Sequence, residues 1–146
     1  MKMDEAINES ALRLAFVRRG DSWADVRCRF EHFSHAGLPL QPMVELLAAI
    51  TDWQLAEQLF PGKSMANLVV SDTPNFQSVS GVLHVGYDAE RHLFVFHHLG
   101  WDGRQEYRQC AEAQAFQVFA RFSQEIFLLA ADLPACEQEL AQVAGL

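Results

Sequence analysis

Histidine and cysteine are the residues of this chain with the widest chemical range, and six histidines and three cysteines occur. His84 and His97 lie in two neighbouring apolar segments, so a hairpin would make them diagonal neighbours, close enough to share a metal ion. Zinc sites, however, need three or four ligands, and neither histidine has a cysteine near it in the sequence. The motifs His-x-x-x-His and His-Glu-x-x-His do not occur, so we expect no metal site. A small-ligand or metal-binding module that uses the His84/His97 face remains an alternative.

Motifs for nucleophilic or phosphate chemistry are also missing from the sequence. Cys28 lies between two arginines and Cys110 precedes a predicted helix start, and both settings would favour a thiolate. Neither cysteine, however, has a sequence-evident histidine and asparagine partner. Gly62-Lys63-Ser64 has the form of the end of a phosphate-binding loop, but Glu57 stands where such a loop needs its first glycine. We expect a helix stop and turn there, and a protein that is not an enzyme and has no cofactor.

The cysteine pattern and the apolar pattern bear on the compartment. The three cysteines, Cys28, Cys110 and Cys136, are widely spaced and form no Cys-x-x-Cys pair, which indicates free thiols in a reducing cytoplasm. The first residues are acidic and have no apolar stretch, so no secretory signal is predicted. Because no run approaches the roughly 18 apolar residues of a membrane span, we expect no membrane association.

The charge is unevenly distributed. Residues 1–31 carry six basic and six acidic groups, so the net charge of −8 belongs to residues 32–146. A field of that sign repels nucleic-acid phosphates and favours basic partners, although the acidity would also serve solubility alone. Four acids fall on predicted turns or beside them, and a tryptophan in the turn at residues 100–103 is the best candidate for an exposed aromatic side chain. This group is the predicted partner-binding surface: Asp88, Glu90, Trp101, Asp102 and Glu106.

Residues 81–99 give the clearest structural signal. Two apolar runs flank the polar residues 88–91, which predicts a β-hairpin with a four-residue loop. With Tyr87 paired to His92, Val85 would face Phe94 on the side that a helix covers. The two histidines, His84 and His97, would lie on the opposite side.

Further strands are predicted over residues 66–71 and 104–109, which gives an antiparallel meander of three to four strands. From Ala111 a long helix with phenylalanines along one stripe is expected to run until Leu133-Pro134, and a short helix follows over residues 136–143.

The first third of the chain is predicted to be helical. Helical spacing appears over residues 7–19 and ends at Gly20, and Ser22 with Asp25 resembles a capping box for a second helix. Alternation over residues 26–30 would also fit a strand.

Pro42 predicts the start of a third helix, whose inner face would include Trp53 and which would end at Pro61-Gly62. Together the elements predict one α+β domain over residues 1–146: a meander of three to four strands packed against a long C-terminal helix, with N-terminal helices.

The arrangement of residues 68–71, 85–88 and 94–96, the strand ending at Cys110 and the phenylalanines after it resembles immunity proteins of bacterial polymorphic toxin and contact-dependent inhibition systems. The resemblance covers roughly residues 66–125. It implies a cytoplasmic protein that neutralises a cognate toxin by direct binding, with acids that mimic the toxin's anionic substrate. The partner would then be a basic toxin domain. A small acidic chaperone or adaptor for a secreted protein is the other alternative, and it would more often be a homodimer than a monomer.

Overall fold

The computed structural model describes residues 22–129. The helices predicted over residues 7–19 and 136–143, and Cys136, lie outside the described residues. The described elements are, in chain order, α1 (Trp23–His35), α2 (Gln41–Thr51), β1 (Phe60–Ser64), β2 (Asn67–Ser71), β3 (Val82–Asp88), β4 (Leu93–Leu99), β5 (Gln105–Ala111) and α3 (Ala115–Phe127). Short 3₁₀ turns at Gln54–Gln58 and Glu112–Gln114 precede β1 and α3. No helix in this part of the chain has the length and apolar character that a bilayer crossing requires.

The strands form one antiparallel sheet in the order β1-β2-β3-β4-β5, which confirms the α+β class. The predicted count of three to four strands is wrong, because residues 60–64 form a further strand at the edge of the sheet. Gly62-Lys63-Ser64 therefore lies in a strand rather than at a helix stop. Pro61 is accommodated because an edge strand tolerates a residue without a backbone N–H. The third predicted helix, α2, has already ended at Thr51.

A capping box starts α1 and decides between helix and strand for residues 26–30. The Ser22 hydroxyl oxygen accepts from the Asp25 N–H at 3.1 Å, and the Asp25 carboxylate accepts from the Ser22 N–H at 3.2 Å. Val26 and Phe30, one helical turn apart, are buried, whereas Cys28 between them is exposed. A strand would have placed all three on one side.

The core lies between the three helices and one face of the sheet. From α2, four residues of the predicted inner face are buried: Met43, Leu46, Leu47 and Ile50. Trp53, which was predicted on the same face, lies after the end of α2 at Thr51 and is partly buried. Trp23 of α1 and Trp53, which follows α2, flank Phe119 of α3, with ring centroids 6.5 Å away for Trp23 and 6.0 Å away for Trp53. The sheet contributes seven buried side chains to this cluster: Leu68, Val70, Leu83, Val85, Phe94, Phe96 and Cys110.

The β3–β4 hairpin has the predicted faces but not the predicted register. Tyr87 pairs with Phe94 rather than with His92, and Val85 pairs with Phe96. The loop lies one residue later than predicted, at residues 89–92, which shifts the pairing by two residues. Because side chains alternate with a period of two, this shift keeps every side chain on its predicted face. His84 and His97 are consequently directly opposite each other, and their expected diagonal placement is wrong.

The helix α3 is shorter than predicted at both ends. It cannot begin at Ala111, because that residue pairs with Leu93 at the end of β5. It ends at Phe127, after which Leu128 adopts a left-handed conformation with φ 48° and donates its N–H to the Gln124 carbonyl. The expected end at Leu133-Pro134 is therefore too late.

The second face of the sheet is only half covered. Residues 72–80 fold over its β2–β3 side, where Phe76 packs on Val69 and Val82 and is 3% exposed. The rest of this face carries partly buried or exposed residues from β3, β4 and β5: His84, Val95, His97 and Tyr107. We call these four residues the open face.

Candidate functional site

A cleft of about 520 Å³ lies at one end of the meander, between the β4–β5 turn, the start of β5 and the last half of α3. Residues 79 and 80, the turn and α3 all contribute to its lining. We call it the turn cleft. Its lining combines aromatic, acidic and basic side chains, including His98, Trp101, Asp102, Glu106, Phe122 and Glu125.

The turn that carries Trp101 is held by its own backbone. The Gly100 N–H donates to the Arg104 carbonyl at 2.8 Å, and the Gly103 N–H donates to the Gly100 carbonyl at 3.0 Å. Gly103 has φ +93°, a conformation that side chains with a Cβ rarely adopt. This closed turn presents Trp101 to solvent, with 59% of its surface exposed.

Asp102 is held by the residue two positions later. One carboxylate oxygen accepts from the Arg104 N–H at 3.1 Å, and the other lies 3.0 Å from the Arg104 Nε. The backbone hydrogen bond from Arg104 is the main cause that lowers the pKa of Asp102 below its ordinary value. The carboxylate at the rim of the cleft is therefore charged at neutral pH.

Arg108 joins β5 to α3 beside the cleft. Its guanidinium lies 3.9 Å from the centroid of the Phe122 ring and contacts Glu106 at 3.1 Å and Glu125 at 2.5 Å. Burial of the guanidinium opposes its charge, but the hydrogen bonds to Glu125 and Glu106 outweigh burial and raise the pKa of Arg108. This cluster fixes the position of both carboxylates at the mouth of the cleft.

His98 and Phe122 also line the cleft. The His98 Nε2–H donates to the Ser80 carbonyl oxygen at 2.7 Å, and the imidazole lies edge-on to the Phe122 ring at 6.2 Å. His98 thus links the loop that precedes β3 to the helix.

The predicted binding residues divide between two ends of the sheet. Trp101, Asp102 and Glu106 meet at the turn cleft. Asp88 and Glu90 lie at the β3–β4 loop, at the other end of β4, whose seven residues span about 20 Å. There the Asp88 carboxylate accepts from the backbone N–H groups of Glu90 and Arg91, at 3.1 Å and 3.2 Å, so it stabilises its own loop.

Among the other residues that line the cleft, His98, Phe122 and Glu125 make the contacts described above and were not predicted as site residues. Phe122 belongs to the apolar stripe of α3, and its place beside the cleft depends on contacts between residues far apart in sequence. The alternation of Glu106 and Arg108 on one side of a strand was the available signal for an ion-pair cluster.

The open face carries a second arrangement of rings. The His97 and Tyr107 rings are stacked at 4.2 Å with an interplanar angle of 4°, and the His84 ring lies 6.0 Å from that of His97. The His97 Nε2 is 2.8 Å from the Gln105 side-chain oxygen. Among residues 22–129, no group of three or more histidines, cysteines or acids is arranged to hold a metal ion.

A hydrogen-bonded cluster lies at the β3–β4 loop end of the sheet. The Tyr87 hydroxyl donates to Glu112, and the His92 Nδ1 lies 3.2 Å from the same carboxylate. The hydrogen bond to Glu112 is the main cause that raises the pKa of Tyr87 to about 12, and the same bond lowers the pKa of Glu112. The cluster ties the end of β3 to the turn that precedes α3.

The two described cysteines differ in access. Cys28 is exposed on α1, whereas Cys110 is buried. Burial raises the pKa of the Cys110 thiol, so the thiolate expected from a nearby helix start is not favoured.

No family model matches the chain, and comparisons with curated proteins and with solved structures find no match. A functional proposal for this chain therefore starts from its own fold and from the turn cleft.

Proposed function

We propose that this protein is a non-catalytic binding module that holds a basic protein partner at the turn cleft. The observation that carries the proposal is Trp101, which is 59% exposed on a closed turn directly beside a concave surface. Tryptophan is the residue most enriched among side chains that dominate binding energy, because it buries a large area at little entropic cost. A rigid turn adds to this, since no loop ordering is needed when the partner binds.

The charge at the cleft supports a basic partner. Three carboxylates, those of Asp102, Glu106 and Glu125, lie at its rim; they are paired with the guanidinium groups of Arg104 and Arg108, which leaves one negative charge in excess. Residues 22–129 carry twelve acidic and seven basic side chains, so this part of the protein has a net charge of −5. Opposite charge accelerates the encounter with a basic partner, and burial of an aromatic side chain slows its release.

We further propose that the partner is a toxin domain and that this protein is its cytoplasmic immunity protein. This step rests on the resemblance of residues 66–125 to immunity proteins of bacterial toxin systems. In this proposal the carboxylates of the cleft occupy the basic surface on which the toxin would receive an anionic substrate. The toxin is then blocked by occlusion.

The experiment measures binding to the protein encoded by the neighbouring gene, by calorimetry and by biolayer interferometry. We expect Trp101→Ala to weaken the affinity by at least about tenfold, because hot-spot truncations cost about 2 kcal/mol or more. Asp102→Arg should lower the association rate, most strongly at low salt. Glu45→Arg makes the same charge change on an exposed position of α2 and serves as the matched control. If Asp102→Arg and Glu45→Arg lower the association rate equally, the rate depends on the net charge of the protein and not on the position of Asp102 at the cleft.

A second arm separates the binding module from the immunity assignment. Cells that express the partner alone and together with this protein are compared for growth. Protection that is lost with Trp101→Ala supports the toxin proposal. Tight binding at the cleft without any effect on growth would retain the binding module and reject the toxin as its partner.

A further inference from the structure

The strand β5 is the last strand of the sheet, and no described segment pairs with its outer side. The hydrogen bond from the Gly100 N–H to the Arg104 carbonyl shows which opposed residues of β4 and β5 are hydrogen-bonded pairs, beginning with Gly100 and Arg104. Since hydrogen-bonded and non-hydrogen-bonded pairs alternate, Glu106 and Arg108 bond to β4 through their backbones. The backbone N–H and C=O groups of four other residues of β5 therefore point outward: Gln105, Tyr107, Gln109 and Ala111.

The edge has a glutamine at each end, Tyr107 at its centre, and one acidic and one basic residue on the two sides of Tyr107: Gln105-Glu106-Tyr107-Arg108-Gln109. We propose that β5 pairs with β5 of a second copy of the chain, antiparallel and centred on Tyr107. The pairing joins two five-stranded sheets into one of ten strands. Its two-fold axis is perpendicular to the sheet, so the helices of both copies lie on the same side.

The backbone phase fits this register. Pairing centred on Tyr107 sets Tyr107 opposite Tyr107 and Gln105 opposite Gln109, and these three residues are among those whose backbone groups point outward. All three become part of hydrogen-bonded pairs. If one β5 strand is shifted by one residue along the other, residues whose backbone groups point outward lie opposite residues whose backbone groups point towards β4. No ladder of hydrogen bonds forms in such a register.

The charges select this register among those that the backbone allows. Centring on Tyr107 places Glu106 of each copy opposite Arg108 of the other, in the non-hydrogen-bonded pairs where side chains approach most closely. Centring on Glu106 would oppose two carboxylates, and centring on Arg108 would oppose two guanidinium groups. Arg108 has five N–H donors; those on Nε and Nη2 bond Glu106 and Glu125 of the same copy, and the remaining donors can bind Glu106 of the second copy.

The open face gains from the same pairing. Tyr107 is 61% exposed and stacks on His97 on one side only. A second Tyr107 directly across the two-fold axis would cover its other side and extend the row of rings across both copies. Long exposed edge strands without a proline or a bulge are otherwise prone to unspecific pairing, so a defined partner also protects this one.

Sedimentation equilibrium of the full chain tests the proposal over micromolar to submillimolar concentrations. We expect twice the mass of one chain for the natural sequence. Glu106→Arg replaces two attractive cross-strand pairs with two repulsive ones, and the dimer dissociation constant should rise by at least about tenfold. The double variant Glu106→Arg, Arg108→Glu restores opposite charges across the axis and should recover the dimer, at least in part.

Two controls keep the result specific. Glu45→Arg makes the same charge change away from β5 and should leave the dimer unchanged. Gln109→Pro removes one outward N–H, which an edge strand tolerates in the monomer, and should weaken the dimer while circular dichroism stays the same. A natural chain that remains monomeric at the highest concentration overturns the proposal. A dimer that Glu106→Arg does not weaken also overturns it, because that dimer would use another surface.

Discussion

Replacing Gly81 with alanine tests how closely the ends of β3 and β4 approach each other beside the turn cleft. Gly81 has φ +82°, and an added Cβ would lie 2.1 Å from the Leu99 carbonyl oxygen and 2.8 Å from the Gly100 Cα. Both atoms belong to the backbone, so no side chain can rotate away. The left-handed conformation costs a residue with a Cβ about 1–2 kcal/mol. Moving a strand end to relieve the overlap adds about 1–3 kcal/mol, as in overpacked cores. Gly81→Ala should therefore lower the free energy of unfolding by about 2–5 kcal/mol.

Gly103→Ala is the matched control for this measurement. Gly103 has φ +93°, but an added Cβ there meets nothing within 4 Å, so only the conformational cost of about 1–2 kcal/mol applies. Urea unfolding at one protein concentration, followed by tryptophan fluorescence, gives both values. If the two variants lose the same free energy with unchanged m-values, the close approach of Gly81 to Leu99 does not exist as described.

Three further predictions concern the elements that position the site. Ser22→Ala removes half of the capping box of α1 and should cost about 1 kcal/mol in urea unfolding; an unchanged midpoint would contradict the role of the box. Phe122→Ala should cost about 3–5 kcal/mol, because the ring is buried between α3 and the sheet, and a loss below 1 kcal/mol would contradict that burial. In a Tyr107→Phe background, Tyr87 is the remaining tyrosine, and its ultraviolet titration should have a midpoint of about 12 that falls towards 10.0 with Glu112→Ala. Because the pKa of Tyr87 is raised, its contribution to stability is lost as the pH rises from 10.0 to about 12. Because the pKa of Glu112 is lowered, its contribution is lost as the pH falls through that lowered pKa. A midpoint of 10.0 for Tyr87 in the presence of Glu112 would contradict the hydrogen bond between them.

Local signals in the sequence predicted much of the fold. The capping box at Ser22 and Asp25 acts within three residues, and the burial of Val26 and Phe30 follows from helical spacing. The faces of the β3–β4 hairpin also follow from the sequence, because they depend only on alternation. These features need no knowledge of distant contacts.

Other features depend on contacts that a local pattern does not contain. The strand at residues 60–64 contains Pro61-Gly62, which resembles a helix stop, and becomes a strand by pairing with β2. The hairpin register depends on where the loop closes, and a one-residue change in the loop leaves the apolar pattern intact. At the candidate site, Trp101 and Asp102 could be found from the turn, whereas Phe122 and Glu125 come from a helix about twenty residues later.

The acids at the turn cleft have built-in competitors for any ligand. Asp102 holds Arg104, and Glu106 holds Arg108, each two residues away along the chain. A tethered arginine is present at a high effective concentration, so an incoming lysine has to displace it and gains little from charge alone. In the proposed function, a flexible polycation would therefore bind weakly, whereas a folded partner that also covers the indole ring of Trp101 would offset the broken ion pairs by the area that it buries. The tethered arginines would thus make the proposed binding surface selective for such a folded partner.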